Sequence, residues 1–363
     1  MPAEFNAFDR LAMTRALELA ARGLTTTQPN PRVGCVIARD GRIVGEGWHE
    51  RAGEAHAEVR ALAEAGAAAS GASAYITLEP CSHFGRTAPC ADALMRAGVA
   101  RVVFAIEDPD PRVSGAGALR LRQAGIEVAS GLLAAEAQEL NVGFFSRLLR
   151  HRPWVRIKLA MSLDGRTALA NGASRWITGE AARADVQQWR ARSSAVLTGI
   201  GTVLADDPRL DVRAAGACHQ PLRVVLDSRL RTPPDARILA KPGEILLFSA
   251  TDDAARRSAI EQQGAKVERL AHSPPDLGKV LARLAELEIN EVLVEAGPTL
   301  AGAFLQAGLT DELLLYVAPV LLGPQARALL QLPELTDLAQ SRRLTLMNSS
   351  AIGSDLRLQL RPV

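Results

Sequence analysis

The spacing of hydrophobic positions changes repeatedly between a helical and a strand-like period along the first part of the chain. The opening segment has the apolar spacing of an amphipathic helix that ends at Gly23. Two apolar runs then flank Asp40-Gly41, which predicts a β-hairpin. Further on, AHAEVRALAEAG and CADALMRAG predict helices, whereas AYITLEP, RVVFAIEDP and GIEVASG predict strands. This alternation predicts a helix–sheet–helix sandwich.

The segment FFSRLLRHRPW interrupts this pattern with basic residues and Pro153, and the alternation restarts after it. We therefore predict two domains, residues 1–147 and 148–363. Continuous apolar runs in the second domain suit strands of a sheet that is covered on both faces. They occur in PWVRIKLAMSLDG, SAVLTGIGTV, PLRVVLDS, EILLFSA, KVERLA, NEVLVEAG and DELLLYVAPVLLG. Helices are expected between them, for example from Glu180 to Arg192 with Thr178 as the N-cap, so the second domain is also α/β.

The composition is that of an ordinary globular protein. Of the 363 residues, 48% are apolar and 23% are charged, and the formal net charge is +2. A charge so close to balance gives no electrostatic reason to expect a nucleic-acid or membrane partner. No apolar run approaches the roughly 18 residues of a membrane span, and the charged opening segment is unlike a signal peptide. Four cysteines in a chain of this length are not a disulfide framework, so we expect a reducing, cytoplasmic location.

Four residues of the first domain form an arrangement that is typical of a catalytic zinc site. His56, Cys81 and Cys90 supply the imidazole and thiolate ligands that zinc prefers, and a fourth position stays open for water. Glu58 follows His56 by two residues, an offset that places a carboxylate beside the metal when a helix starts there. Such a carboxylate can move protons, while zinc lowers the pKa of its water to about 7. The arrangement therefore predicts a nucleobase-type deaminase.

Each of these residues also has an ordinary explanation when it is taken alone. His56 could lie on a helix surface, and Cys81 and Cys90 could be small residues of the core. The ordered combination favours zinc. A purely structural zinc would need a fourth protein ligand, for which Cys35 in the hairpin and Cys218 far downstream are badly placed.

Eight residues separate the two cysteines, instead of the two that are usual for a shared metal. They add His83 and Arg86, and an arginine beside the metal suits a phosphorylated substrate; the alternative is a solvated loop arginine. Upstream, Asn30 lies between two prolines, which fix the backbone and could hold its amide as a reader of the pyrimidine edge. His49 is a further candidate near the metal.

The second domain gives weaker signals. Gly199-x-Gly201 follows a predicted strand, but Leu204 occupies the third glycine position, so a Rossmann fingerprint is not met. A second strand is expected to end at Glu295, where the Gly-Pro that follows suits a helix start whose free amides bind phosphate. An ordinary strand-to-helix turn explains the same residues equally well.

Segments along essentially the whole chain resemble the bacterial bifunctional riboflavin-biosynthesis deaminase/reductase family. They are NPRVGCVI, GEGWHERAGEAHAEVRAL, YITLEPCSHFGRTAPC, EDPDPRVSGAG, KLAMSLDGRTA, SRWITG, TVLADDPRLDVR and VEAGPTLAGAFLQAGLTDELLLYVAP. The resemblance implies a cytidine-deaminase-like α-β-α sandwich followed by a dihydrofolate-reductase-like α/β domain. It also implies zinc-dependent hydrolytic deamination of 2,5-diamino-6-(5-phosphoribosylamino)pyrimidin-4(3H)-one, and then NADPH-dependent reduction of the ribosylamino side chain to ribitylamino.

The resemblance further implies the residues of both sites. In the deaminase, one zinc ion per chain would be held by His56, Cys81 and Cys90, and Glu58 would shuttle protons. The deaminase pocket would be lined by Asn30, His49, His83 and Arg86, with Asp108 and Asp110 as further candidates. In the reductase, NADPH would contact Ala160, Trp176, Thr202, Asp206, Ser228, Gly297, Pro298, Thr299, Leu300, Ala301, Gly302 and Ala303. The reductase substrate would contact Ser174, Arg190, Leu210, Arg213 and Glu295.

Some of these roles have alternatives. The family often carries Lys where this chain has Arg86. Arg190 and Arg213 make chemical sense as phosphate clamps, but they could instead be a helix-surface and a strand-edge charge. Lys158, with Glu295, is the candidate for proton transfer in the reductase, although it could equally be a solvated strand-end residue. Trp176 could be a core residue rather than a cofactor contact.

Two other functions stay open on the residues alone. A nucleic-acid or nucleoside deaminase is disfavoured by the balanced charge, the wide cysteine spacing and an aromatic content of 4%, because base stacking needs aromatic residues. A non-enzymatic protein with one decayed half is disfavoured only for the first domain, whose expected ligands are all present. The expected partners are small-molecule phosphoribosylated pyrimidines, with no nucleic acid and no membrane. We also expect a homo-oligomer, a dimer or a tetramer.

Overall fold

The computed structural model describes residues 4–82, 89–213 and 219–363. The chain divides into two compact units, Met1–His151 and Arg152–Val363. No helix in the described ranges is both long and apolar enough to span a bilayer.

The first unit packs helices against both faces of one sheet. Within the described part of the chain, the strand order is β2-β1-β3-β4-β5. The strands are β1 (Gly34–Arg39), β2 (Arg42–Trp48), β3 (Ser73–Ile76), β4 (Arg101–Phe104) and β5 (Glu127–Ser130). The helices are α1 (Ala7–Ala21), α2 (Ala57–Ala65), α3 (Cys90–Ala97), α4 (Ala116–Gln123), α5 (Ala134–Leu140) and α6 (Val142–Arg150). One apolar cluster joins the sheet to α2, α3 and α4, and another joins its opposite face to α1 and α5, which confirms the predicted sandwich.

The β1–β2 hairpin turns at Asp40 and Gly41, as predicted. Both residues have positive φ, 52° and 71°, as the central positions of such a tight turn require. Strand β2 carries a glycine where α2 comes close: a Cβ on Gly47 would lie only 2.4 Å from Ala57 O. The absent side chain therefore allows the start of α2 to rest directly on the hairpin backbone.

The second unit is built on a larger sheet. In the residues that the structure describes, its strand order is β11-β10-β9-β8-β12-β6-β13-β16-β15. The strands are β6 (Trp154–Ser162), β7 (Arg166–Ala168), β8 (Ala195–Gly199), β9 (Leu222–Leu226), β10 (Ile245–Ser249), β11 (Lys266–Arg269), β12 (Glu291–Glu295), β13 (Glu312–Ala318), β14 (Arg327–Ala328), β15 (Leu344–Ile352) and β16 (Asp355–Pro362). The helices are α7 (Glu180–Arg192), α8 (Ile200–Asp206), α9 (Ala254–Glu261), α10 (Leu277–Glu286) and α11 (Pro298–Gln306). The short strands β7 and β14 pair with each other.

The larger sheet is parallel from β11 to β13, and the β15–β16 hairpin adds antiparallel strands beyond β13. Apolar clusters cover both faces of the sheet, as the continuous apolar runs predict. The chain order reverses at β8, which has β9 on one side and β12 on the other. In sheets of this kind, ligands bind at the carboxyl ends of the strands beside such a reversal. The turns after β8 and β12 therefore mark the place to expect a ligand.

Two predicted strands are too long. The segment SAVLTGIGTV forms a strand only to Gly199, because α8 begins at the next residue. The segment DELLLYVAPVLLG forms a strand only to Ala318. In both cases the apolar run continues past the last residue that pairs in the sheet, so hydrophobicity alone does not locate the end.

The predicted strands do not include the β15–β16 hairpin, although residues 356–361 of β16 (LRLQLR) alternate between apolar and polar. Strand β15 is exposed over most of its length, so burial imposes no alternation on its residues. The hairpin also corrects the predicted N-cap of α7. The N-cap is Gly179 rather than Thr178, and its amide donates to the Asp355 carboxylate of β16 at 2.7 Å.

Candidate functional site

The start of α2 presents two of the predicted deaminase residues. His56 is the N-cap of this helix, with extended backbone, and Glu58 lies in its first turn. This placement is the one that the two-residue offset predicts. Glu58 is buried, and burial raises the pKa of its carboxyl, with the Cys81 thiolate adding to the effect. A carboxyl with a raised pKa is suited to take up and release protons near neutral pH.

Two cysteines from other parts of the first unit lie beside His56. Cys81 follows β3, and Cys90 is the first residue of α3. The His56 Nδ1 atom lies 3.2 Å from Cys90 Sγ and 3.6 Å from Cys81 Sγ. Among the described residues, these three are the cluster whose ligand atoms all lie within 4.8 Å of one another.

The three ligand atoms fit a tetrahedral zinc ion. Zinc at about 2.3 Å from sulfur and about 2.0 Å from nitrogen separates such ligand atoms by about 3.5 Å, close to the spacing found. The Cys90 amide also donates to Cys81 Sγ at 3.3 Å. The Cys90 thiol donates a hydrogen bond to the Cys81 thiolate, which lowers the pKa of Cys81 to about 4 and raises the pKa of Cys90, which burial raises further. A divalent cation favours the thiolate form of both.

Asn30 and His49 form a second layer beside the metal cluster. The His49 ring meets the His56 ring edge to face, with centroids 5.4 Å apart. Burial lowers the pKa of His49 and keeps its ring neutral. Its Nδ1 lies 3.3 Å from Ala55 O, which can only accept, so Nε2 carries the lone pair and accepts from Asn30 Nδ2 at 3.0 Å. The Asn30 carbonyl oxygen is thereby left to accept a hydrogen bond from a ligand.

Two further deaminase candidates, Asp108 and Asp110, follow β4. Asp108 is buried after β4, and its carboxylate accepts the Asp110 amide at 2.9 Å. Asp110 forms an ion pair with Arg112 at 2.5 Å. His83 and Arg86 lie outside the described residues.

The reductase residues collect mostly at the carboxyl edge of the larger sheet. Strand β12 ends at Glu295 and α11 begins at Pro298 with Gly297 as its N-cap, as predicted. A Cβ on Gly297 would meet no atom within 4 Å, so the space before this helix is open. The first turn of α11 also meets the turn after β8, since a Cβ on Gly199 would lie 3.2 Å from Leu300 Cδ2. The predicted cofactor residues that share this region are Ala160 in β6, Thr202 and Asp206 in α8, Ser228 after β9, and Pro298, Thr299, Leu300 and Ala303 in α11.

Two of the predicted cofactor residues are less accessible. Ala301 and Gly302 of α11 are buried. A Cβ on Gly302 would lie 2.2 Å from Gln331 O, so this glycine permits close packing of α11 against the chain that follows β14. Packing thus explains both residues without a ligand.

A buried charge cluster lies at the end of β12. Arg190 Nε and Nη2 donate to the two Glu295 carboxylate oxygens at 2.5 and 3.0 Å, and Nη1 donates to Asp211 O at 3.2 Å. Lys158 of β6 is the register partner of Glu295. Burial lowers the pKa of Lys158, against the opposing effect of the Glu295 carboxylate. The Arg190 guanidinium is therefore bonded to a carboxylate, and Lys158 is a partly buried residue within a strand.

The other substrate and cofactor candidates are less tightly held. Trp176 is 70% exposed, so it is not a core residue, and the Arg183 guanidinium lies 4.5 Å above its ring. Ser174 is half-buried in the same segment, between β7 and α7. Leu210 is buried after α8. Arg213 forms an ion pair with Asp211 and is half-exposed.

Sequence reasoning missed two buried acidic residues close to these sites. Glu79, two residues before Cys81, accepts backbone amides, and Asp211 pairs with Arg209 and Arg213. The arrangement of Asp211 between two arginines in RLDVR is a signal for its ion pairs. Glu79 gives no such signal, because its partners are backbone groups far away in sequence.

Family comparisons match both units. The family described as "RibD C-terminal domain" matches residues 153–358. The family described as "Cytidine and deoxycytidylate deaminase zinc-binding region" matches residues 7–106, which include His56, Glu58 and Cys81.

Comparisons with curated proteins and solved structures cover nearly the whole chain. It is 50% identical to the riboflavin biosynthesis protein RibD of Escherichia coli (strain K12), over 97% of this chain and 99% of that protein. It is 46% identical to the RibD of Haemophilus influenzae, over 99% of both chains. The RibD structure of Acinetobacter baumannii (form 1) superposes with a TM-score of 0.92 at 47% identity, covering 98% of this chain and 99% of that one. A Thermotoga maritima structure, described as a diaminohydroxyphosphoribosylaminopyrimidine deaminase/5-amino-6-(5-phosphoribosylamino)uracil reductase, gives 0.88 at 33% identity over 98% of this chain and 99% of that one.

Proposed function

The chain belongs to the RibD family of bifunctional deaminases and reductases of riboflavin biosynthesis, and from that premise we propose which residues carry the two reactions. The first unit hydrolytically deaminates 2,5-diamino-6-(5-phosphoribosylamino)pyrimidin-4(3H)-one. The second reduces the ribosylamino side chain of the product to ribitylamino with NADPH. The observation that carries the proposal is the convergence of His56, Cys81 and Cys90 beside the buried Glu58.

In the deaminase, His56, Cys81 and Cys90 hold one zinc ion, which when bound supplies the Lewis acidity that makes water a nucleophile near neutral pH. Glu58 takes a first proton from the attacking water and passes it to the ring nitrogen, then carries the second proton of that water to the amine, which leaves as ammonia; its raised pKa suits this transfer. Asn30 orients the pyrimidine through its carbonyl oxygen, whose direction is fixed by the hydrogen bond of its amide group to His49. His83 and Arg86 are proposed to complete the pocket, with Arg86 on the phosphate.

In the reductase, NADPH supplies a hydride when bound, and the acceptor is the sugar carbon bonded to the amine, in its ring-opened imine form. The open N-terminus of α11 at Gly297 suits the cofactor phosphates. Reduction of the imine also adds a proton at nitrogen, and we propose Lys158 as its source because burial lowers the pKa of Lys158, which favours release of the proton. Arg190 holds Glu295 beside Lys158, so the half-exposed Arg213 is the better placed ligand for the substrate phosphate.

The proposal is tested by Glu58→Gln in the full-length protein. This change removes the proton carrier but keeps the size of the side chain. We expect ammonia release from the phosphoribosylated pyrimidine to fall at least 100-fold, the lower end of what general acid–base catalysis contributes (about 10² to 10⁴). Bound zinc and NADPH turnover should stay near wild type, and the wild type should release no ammonia from cytidine or single-stranded DNA. Parallel loss of both activities would contradict two separate sites.

The cofactor preference and the cellular location of the protein are two separate proposals. NADPH is proposed over NADH from the family resemblance, and comparison of kcat/KM for the two cofactors tests it. A reducing cytoplasm is proposed because Cys35, Cys81 and Cys90 are free thiols and two of them must stay reduced to bind metal.

We also propose that the chain associates with a second copy through the β15–β16 hairpin. Strand β15 lies at one end of the larger sheet and exposes Leu344, Leu346 and Met347. Apolar residues on an exposed edge strand favour pairing with another chain. Leu346→Arg should shift the mass in solution, measured by light scattering, towards the monomer; an unchanged mass would count against this surface.

A further inference from the structure

Glu79 is a buried carboxylate that has no part in either proposed reaction. It is 3% exposed and precedes Cys81 by two residues. Its oxygens accept three backbone amides: Oε2 accepts Gly115 N at 2.9 Å and Asp108 N at 3.4 Å, and Oε1 accepts Ala118 N at 3.0 Å. A carboxylate is costly to bury without such bonds, so the contact links the Cys81 segment firmly to a distant part of the chain.

Two of the three donors lie at the N-terminus of α4. Gly115 is the N-cap of this helix, with a φ of 75°, and it has no side chain with which to cap the helix. An N-cap side chain normally accepts the amide at the third helical position, which here is Ala118. Glu79 makes that bond from the segment that follows β3. The helix is therefore capped by the segment that carries a metal ligand.

Further contacts fasten α4 to the residues on either side of Cys81. A Cβ on Gly117 would lie 2.0 Å from Pro80 O, which shows how closely the helix backbone approaches this segment. Arg120 Nη1 donates to Ser82 O at 3.3 Å. The residues before and after Cys81 are thus both held by α4.

From these contacts we propose that Glu79 is a positioning residue of the metal centre: its carboxylate fixes the backbone that directs Cys81 towards His56. Pro80 limits rotation between Glu79 and Cys81, so the anchored side chain sets the direction of the ligand. The Cys81 carbonyl oxygen also accepts a hydrogen bond from the Ala91 amide at 3.1 Å. This bond connects the Cys81 backbone to the start of α3, where Cys90 lies. The inference rests on the proposed function, because it takes these residues to bind zinc.

Glu79→Gln tests this role with little change in shape. The amide nitrogen of glutamine donates instead of accepting, so at least one of the three backbone amides faces a donor. Asp9→Asn is the matched control. Asp9 is another buried carboxylate of the first unit, and it accepts Tyr75 Oη and Arg101 Nη1, both at 2.7 Å, and Asn6 N at 3.0 Å, but it does not contact the metal cluster.

The readout is the rate at which zinc passes from the full-length protein to a coloured chelator, at a temperature well below unfolding. Loss of a group that orients metal ligands typically weakens binding by roughly 10- to 100-fold, and we expect Glu79→Gln to release zinc faster by that factor. With cobalt in place of zinc, its thiolate-to-metal absorption should shift. Asp9→Asn should lower the melting temperature but leave both the release rate and the cobalt spectrum as in the wild type.

A second measurement needs no variant. Removal of zinc from the wild type should increase hydrogen exchange in peptides from 107–123, which contain the amides that Glu79 binds, more than in peptides from α1. This comparison decides the question if Glu79→Gln does not fold.

The outcomes separate this inference from the proposed function. Zinc release from Glu79→Gln at the wild-type rate, or only as fast as from Asp9→Asn, would overturn the positioning role while leaving the deaminase centre intact. Equal changes of exchange in 107–123 and in α1 would do the same. A wild-type protein that binds no zinc would overturn the metal centre itself, and this inference with it.

Discussion

Asp108 is a residue whose environment predicts a measurable dependence on pH. Burial raises the pKa of its carboxyl to about 7, and the charges of Asp110, Glu79 and Cys81 add to the effect. The folded protein therefore keeps this proton up to about pH 7, whereas the unfolded chain loses it near the ordinary pKa of about 3.9. Unfolding between these two values releases a proton, so the free energy of unfolding decreases by up to about 1.4 kcal/mol per pH unit as pH rises.

Asp108→Asn should remove this pH dependence. Asparagine keeps an oxygen that can accept the Asp110 amide but has no proton to lose. Thermal melting of the zinc-loaded proteins at pH 5 and pH 7 is the measurement, and the variant should gain stability relative to the wild type as pH rises. The same shift in melting temperature for both proteins would show that Asp108 is ionised throughout.

Glu295 and Glu312 allow a matched comparison of two buried ion pairs in the second unit. Glu295 binds Arg190 at the carboxyl edge of the sheet, and Glu312 binds Arg156 away from the proposed site. Removal of Glu295 leaves the Arg190 charge buried without its carboxylate, which typically costs about 3–5 kcal/mol, whereas removal of Glu312 takes from Arg156 one of two carboxylates and leaves its ion pair with Glu291. Glu295→Gln and Glu312→Gln should therefore both lower the stability of the second unit.

Only Glu295→Gln should also change catalysis, because it removes the carboxylate charge that opposes the lowering of the Lys158 pKa by burial. We expect its kcat for NADPH oxidation to fall at least 10-fold, while folded Glu312→Gln keeps the wild-type kcat and KM. The same kinetic loss in both variants would show that the Glu295 effect is only structural.

Among single residues, the convergence of the proposed metal ligands was predictable because zinc restricts the residue types and their order. His56, Cys81 and Cys90 converge as expected, and Glu58 has the predicted place at the start of α2. The pairing of Arg190 with Glu295 was not predictable, because each residue separately suits a phosphate or a substrate and only the fold brings them together.

The start of α2 is positioned by glycines of β2. A Cβ on Gly47 would lie 2.4 Å from Ala57 O, and one on Gly45 would lie 2.2 Å from Ala61 O. Any side chain at these positions must push the helix away from the hairpin. Because His56 caps that helix, the metal cluster depends on two residues that do not touch it.

Gly47→Ala should therefore weaken zinc binding and deamination together, and should destabilise the first unit by about 1–3 kcal/mol through overpacking. Gly41→Asn in the same hairpin is the control, since asparagine tolerates positive φ and a Cβ there would meet no atom within 4 Å. Zinc content and thermal melting measure both effects, and NADPH turnover should not change. If the two variants retain equal zinc, the close approach of α2 does not position the site.

Elements with one buried face were predictable, and elements without one were not. The Asp40-Gly41 turn and helix Glu180–Arg192 occur where the sequence predicts them, since local signals define both. Strand β15 carries no sustained alternation, although β16 does in LRLQLR, and the contact of the hairpin with the start of α7 depends on a residue far away in sequence.

For the whole molecule, each unit holds its own candidate site. The proposed zinc ligands and Glu58 all lie in Met1–His151, and Lys158, Glu295 and the α11 N-terminus all lie in Arg152–Val363. A mixture of Glu58→Gln and Glu295→Gln proteins should therefore complete both reactions, since each supplies the site that the other lacks. Assay of the ribitylamino product in the mixture and in each variant alone checks this. No product from the mixture would show that the intermediate does not pass between chains.

The fold of the whole chain was predictable mainly through family resemblance. Periodicity predicts an α/β second domain, but it does not predict the strand order, because β6 pairs with β12 and β13 from far along the sequence. Such pairings depend on which strands lie side by side in the folded chain, and the local hydrophobic pattern does not determine that.

The central place of β6 has a consequence for how the protein is made. This strand leaves the ribosome before either of its neighbours, β12 and β13, has been synthesised. During that interval its apolar residues and unpaired amides are exposed in a nascent chain, whereas β1 to β5 of the first unit have all been synthesised already. Pairing over so long a stretch is slow, so chaperone capacity and translation speed should affect the yield of active reductase more than that of deaminase.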